Sequence, residues 1–321
     1  MFRASSVFTP EELLRLKRKS DWRGAWMIFH AWAVIFGAMA LFVWWPNPLT
    51  FIAATVIIGA RQLGLAILSH DAAHGLLFHN LRLNDFAGTW LVDYPLLGDM
   101  YAYRSYHVAG HHRFTQQKND PDLALAAPFP ITLSSFKRKT VRDLTGQTAY
   151  KQRAGLIRRA FGRPDMPWSE RLDKGWKRLH AAIITNAILF ALLAASGHWW
   201  LYPALWIFPW MTFNAWITRI RSIAEHSMVT DNDDPFRNTR TTRANWFERA
   251  IVAPYYVNYH LEHHLLLSVP CYNLPIAHQM LLAKGYGKRM EIERGYISLL
   301  KRAASRPEHA PPQQSSMTAA A

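Results

Sequence analysis

Half of the 321 residues are hydrophobic, 18% are charged and 13% are aromatic, with 14 tryptophans, a composition that excludes a disordered or collagen-like chain. The single cysteine, Cys271, excludes a disulfide scaffold and a cysteine-based zinc site. A formal charge of +15 nominates nucleic acid, an anionic membrane face or an acidic partner.

In chain order, residues 1–24 come first. Thr9-Pro10-Glu11-Glu12 is a capping-box pattern with proline at the first helical position. Leu13, Leu14 and Leu16 alternate with Arg15, Lys17 and Arg18, which predicts an interfacial helix on a cytoplasmic membrane face. Apolar runs follow over about 25–45, 49–69, 181–197 and 201–217. A bilayer span needs roughly 17–25 such residues, so the runs predict four transmembrane helices. They form two hairpins with polar turns at Pro46-Asn47-Pro48 and Gly197-His198, and Trp44-Trp45 and Trp199-Trp200 sit where an interfacial aromatic belt belongs. Arg61 and Gln62 interrupt the second run. A charge at that depth is costly and needs a partner or a functional contact. Between the hairpins, Phe136–Tyr150 is predicted as one surface helix, with a break at Pro164 and Pro167. Residues 303–321, rich in Ala, Ser, Pro and Gln, are expected to be disordered.

Basic residues precede the first run, fill 71–178 and return from Arg219 onward, whereas neither hairpin turn carries one. By the positive-inside rule both termini and the middle stretch face the cytoplasm. This accounts for the charge without nucleic acid. The expected fold is an all-α membrane protein: four spans within residues 25–302 and a cytoplasmic helical cap, multi-pass in a bacterial-type inner membrane.

Nine of the 15 histidines fall into four groups. His70 and His74 are spaced i, i+4; His107, His111 and His112 are spaced i, i+4, i+5; His226 stands alone; and His260, His263 and His264 are spaced i, i+3, i+4. On a helix, positions three and four apart share a face, so each group can aim imidazoles at one point. The predicted topology puts all nine on one side of the bilayer. Nine imidazoles exceed the needs of one ion and suit two metals with four or five nitrogen ligands each, from Fe, Cu, Zn or Ni. Asp71, Glu225 and Glu262 adjoin these histidines and are expected to orient their rings, and Asn258 is a candidate to hold a water at an open metal position. His30, His79, His180, His198, His278 and His309 lie outside the groups and are expected to play no part.

The three multiple-histidine segments, HDAAH, HVAGHH and HLEHH, together with His74-Gly75, Arg113-Phe114-Thr115 and Asn258-Tyr259, resemble the histidine boxes of the membrane fatty acid desaturase superfamily. The resemblance covers about residues 10–300. It implies a non-haem site of two iron ions, held by His70, His74, His107, His111, His112, His260, His263 and His264, with His226 matching a lone family histidine upstream of the third box. It further implies O2 as co-substrate, a lipid or acyl-carrier substrate and an external electron donor of ferredoxin or cytochrome type. The five-residue first box points to acyl-lipid types. A lipid or alkane hydroxylase or a carotenoid ketolase would use the same site. A metal transporter would need more polar groups at mid-membrane than Arg61 and Gln62.

Overall fold

The computed structural model describes residues 2–126 and 128–308. Among the described residues, three helices are long and apolar enough to cross a membrane, lying within Pro10–Trp44, Pro48–Ala73 and Trp168–Ala195. The first long helix proper, Asp21–Trp44, follows a separate short one, Pro10–Leu16. Asn47 makes the sharp turn between the first two long helices. Its side chain accepts from the N–H groups of Leu49 and Thr50 at 2.9 and 3.1 Å, and Pro48 stands at the first helical position.

Pro48–Ala73 is the central helix. From Ile58 to Ala73 almost every residue is buried, which explains a run that is apolar on all faces. Trp168–Ala195 is peripheral and leaves Ile183, Ile188 and Leu192 exposed. It begins well before the expected residue 181, because Lys174, Lys177 and Arg178 extend the same helix beyond its apolar part.

The expected fourth span, 201–217, is not one helix. Pro203 and Pro209 each remove a backbone donor, so the chain passes through a π-helical stretch, Tyr202–Ile207, and one turn, Phe208–Met211. It breaks at Thr212 (φ −115°, ψ −89°) before the helix Phe213–His226. That helix docks on the central one, where Asn214 donates from Nδ2 to the Gly59 carbonyl at 3.1 Å. The expected surface helix over 136–150 is two helices, Leu133–Leu144 and Gln147–Ala160, separated by Gly146 at φ 79°.

The N-terminal capping box forms as expected, through Thr9 and Glu12. The short helix is also tied to the C-terminal half: Asn273 donates to the Leu16 carbonyl at 2.8 Å, and Lys284 pairs with Glu12 at 2.9 Å. Of the tail expected to be disordered, residues 309–321 lie outside the described residues. Its first residues are held, since Ala303 closes the helix Tyr296–Ala303 and accepts from the N–H of Ile131 at 2.8 Å. A two-residue parallel pair, Thr241–Thr242 with Ile292–Glu293, fastens the C-terminal segment beside the third histidine group.

Candidate metal centre

The central helix ends at Ala73, with His74 as its cap and Gly75 (φ 72°) carrying the chain away. His70 and His74 therefore project from the last turn, ring centroids 4.9 Å apart.

The second group does not sit on a regular α-helix. His107–His111 is a π-helical turn, in which hydrogen bonds run i to i+5. The wider turn keeps both followers close to the leading ring: His107 lies 5.2 Å from His111 and 4.4 Å from His112, centroid to centroid. The extra residue in the i, i+4, i+5 spacing is thus absorbed by the backbone. The third group is α-helical, His260–Leu265. At about 100° per residue, His263 and His264 leave the helix on opposite sides of the His260 direction.

These two adjacent pairs, His111-His112 and His263-His264, divide the nine histidines. His70, His74, His107, His112 and His263 form one group; His111, His226, His260 and His264 form another, the candidate ligand atoms of each lying within 4.8 Å of one another. Each adjacent pair sends one ring to each group. His226, the last residue of Phe213–His226, completes the second set.

The rings turn nitrogens rather than edges toward each centre. Nε2–Nε2 separations are 3.0 Å for His263 and His112, 2.8 Å for His260 and His226, and 3.1 Å for His264 and His260. Nε2 of His70, His74, His107 and His111 is buried without a hydrogen-bond partner. A buried polar atom with no partner is costly, and nine imidazoles converging in two sets, four of them with such an Nε2, fit a pair of transition-metal ions.

Burial also keeps the rings neutral, the state in which imidazole ligates. His74 is held down to about 2, by burial first and by the neighbouring His70 and Arg104 second. His107, His112, His226, His260, His263 and His264 are lowered for the same leading reason, with neighbouring imidazoles adding to it.

The family model for fatty acid desaturases matches residues 46–293. The chain belongs to the fatty acid desaturase family. It is similar to the dihydrorhizobitoxine desaturase of Bradyrhizobium elkanii, 29% identical over 265 residues, covering 76% of this chain and 70% of that protein. It is also similar to the sn-1 oleoyl-lipid 12-desaturase of Anabaena variabilis, 23% identical over 290 residues, covering 84% and 78%. A chloroplastic omega-6 fatty acid desaturase of Brassica napus is 22% identical over 311 residues, covering 87% and 63%. As a desaturase the protein is an oxidoreductase.

The carboxylates around the desaturase histidines do not all stand where their sequence positions suggest. Asp71 lies 3.5 Å from His70 Nδ1 and accepts from the Cys271 N–H at 3.1 Å. Glu225 lies 3.7 Å from His260 Nδ1 and accepts from Arg221 Nε at 2.6 Å; burial pushes its carboxyl up. Glu262 is fully buried but turns away from its neighbours, meeting His278 Nδ1 at 2.6 Å and the Thr241 hydroxyl. His278, expected to play no part, therefore belongs to the packing behind the third box. Asn258 donates to the Thr242 carbonyl at 3.1 Å and pins the short strand. His79 pairs with exposed Asp21 at 2.9 Å.

Asp120 has no counterpart in the sequence expectations. It accepts from His111 Nδ1 at 2.8 Å, and both side chains are buried. Because a carboxylate only accepts, the His111 proton sits on Nδ1 and the Nε2 lone pair faces the second group. Asp120 lies nine residues beyond His111 in a Lys-Asn-Asp-Pro turn, where no periodicity marks it.

Proposed function

We propose that the protein is an O2-dependent membrane desaturase that introduces a double bond into the acyl chain of a lipid, using two iron ions. His70, His74, His107, His112 and His263 would hold one ion and His111, His226, His260 and His264 the other. The observation that carries this is the division of nine imidazoles into two convergent groups. An unactivated methylene has no acidic hydrogen, and bound iron supplies the O2-dependent oxidation that removes it. The chain's own residues do the rest. Asp120, Asp71 and Glu225 fix ring orientation, and Tyr103, stacked on His107 at 4.8 Å, closes one flank of the site. The apolar packing around the central helix keeps water out.

In this reading the segment 201–217 crosses the bilayer as a broken fourth span. The histidine-bearing cap and both termini are cytoplasmic, on an inner membrane of bacterial type. Domain limits follow at 25–302, with residues 1–24 as the leading interfacial element. A ferredoxin- or cytochrome-type carrier delivers electrons, steered by the basic cytoplasmic face. The lipid class is supported by relatives named for oleoyl-lipid and by the bare apolar face of Trp168–Ala195. Dihydrorhizobitoxine, named for the Bradyrhizobium protein, is the second substrate class to test.

Expression in a host of known lipid composition should yield acyl chains with a new double bond by mass spectrometry. Hydroxylated chains without one would replace the desaturase reading with a hydroxylase. Asp120→Asn keeps the shape of the side chain but removes its charge. It should lower metal affinity or product yield by about 10–100-fold, the usual cost of losing such a support. Metal analysis per polypeptide beside product yield measures it, and parental values for both would show that Asp120 does not orient His111.

A further inference from the structure

Beside the central helix, away from the histidines, lies a cavity of about 580 Å³ lined by His30, Arg61, Trp246, Arg249, Tyr255 and Tyr256 among others. We propose that it binds the phosphate of a membrane lipid, a site that rests on the lipid reading above and places the headgroup of the substrate.

The charges point first to an anion. Arg61 is only 7% exposed, on an otherwise apolar helix. Its Nη2 donates to the Ala250 carbonyl, and its guanidinium lies 5.7 Å from the centroid of the Tyr255 ring. Among the described residues no carboxylate pairs with Arg61 or with Arg249, although the chain forms ion pairs at many other arginines. An enclosed cation without a counter-ion is expensive at this depth. Buried Arg61 and, at the exposed rim, Arg249 face one cavity and match a ligand that brings negative oxygens; guanidinium geometry suits phosphate.

Depth points next to a lipid. Trp246, which lines the cavity, is 76% exposed on the short helix Trp246–Ile251, and Trp26, 50% exposed and 6.4 Å from His30 of the same lining, stacks on Trp22, 74% exposed. Exposed tryptophans beside one cavity are typical of the headgroup zone of a bilayer. Arg61 and Arg249 line the same cavity, and exposed Phe29 packs on Trp26 beside it.

The wall between cavity and histidines is unusual. Tyr255 and Tyr256 both adopt positive φ, 52° and 63°, five and four residues before His260. Two consecutive non-glycine residues in that region are held against their preference by surrounding contacts. The Tyr255 hydroxyl donates to the Met27 carbonyl at 3.0 Å and stands 3.2 Å from His30 Nδ1. Its ring lies over Gly64, where an added Cβ would come within 2.8 Å of it. A lipid held by its phosphate here lies against Tyr255 and Tyr256, on the segment that leads into the third histidine group.

Native mass spectrometry of the metal-free full chain in detergent tests the site. The probes are short-chain phosphatidylglycerol, diacylglycerol of the same chains, and inorganic phosphate. Phosphatidylglycerol should bind most tightly, and Arg249→Gln should weaken it about tenfold, the loss of one charge-assisted hydrogen bond. Arg249 lies at the exposed rim, so its replacement leaves the core intact; Arg61→Lys should weaken binding less than Arg61→Gln. Diacylglycerol binding as tightly, or a parental affinity in Arg249→Gln, would overturn the proposal. Inorganic phosphate binding as tightly as the lipid would overturn it in favour of a free-anion site. Since binding is read without metal, a chain that holds the lipid but makes no double bond would refute the proposed reaction and leave this site standing.

Discussion

His264→Ala is expected to bind about half the metal of the parent chain and to form no detectable product. His264 belongs to the four-membered group, and its removal leaves His111, His226 and His260. Three imidazoles in a site built for four bind a divalent ion less tightly and leave a position open to water. His263→Ala, from the five-membered group, leaves His70, His74, His107 and His112 and should keep more of its metal. It should nonetheless lose product by at least about 100-fold, the upper end of what losing a mere supporting residue costs. Metal per polypeptide, measured together with acyl-chain composition, separates the two groups. Equal metal loss in both variants would mean that the nine histidines act as one undivided set. Unchanged metal in both would remove the assignment altogether. The adjacent pairs make the comparison informative, because His263 and His264 share a helix and a neighbourhood and differ mainly in which group they enter.

Much of this centre is legible in the sequence, and what is not has physical causes. The spacing of His70 and His74 translates directly, because the segment is α-helical up to its cap. The spacing of His107, His111 and His112 reveals that three rings cooperate but conceals how, since the π-turn that reconciles i+4 with i+5 leaves no compositional mark. The allocation of nine rings into five and four is likewise a property of directions around two helices, and counting alone gives only the total. Asp120 and His278 escape because their partners are distant in sequence or lie in turns, where contact is set by packing. The first two long helices follow from hydropathy. The run 201–217 has the composition of a span, yet Pro203, Pro209 and the Thr212 break divide it, and hydropathy carries no information about interrupted hydrogen bonding. Phe136–Tyr150 fails as a single helix for a related reason, since Gly146 reverses the chain between two shorter ones.

Stripped of metal, the protein should be sharply sensitive to mild acid. His74 is held down from the ordinary 6.5 to about 2, chiefly by burial. His107, His112, His226, His260, His263 and His264 are lowered in the same direction by the same leading cause. In the unfolded chain these rings take up protons as pH falls through about 6.5, while the folded chain refuses them. The unfolded state then binds more protons, so stability is intact above 6.5 and declines below it, continuing toward the low folded values. Each ring contributes about 1.4 kcal/mol per pH unit in that window. Several acting together would erase a typical folding free energy of about 5–15 kcal/mol within one or two units. Glu225 works the other way, its carboxyl pushed up by burial, so that the folded chain holds this proton more readily, but it is one group against many. Bound metal opposes the decline, because it stabilises only the chain whose imidazoles are neutral, with the ligating nitrogen free of a proton. Thermal unfolding in detergent between pH 7.5 and 5.5 should therefore show a steep fall in Tm without metal and a shallower one with iron restored. A flat profile without metal would mean that the buried rings already carry protons or partners, and the two groups would then lose the feature that suits them to metal.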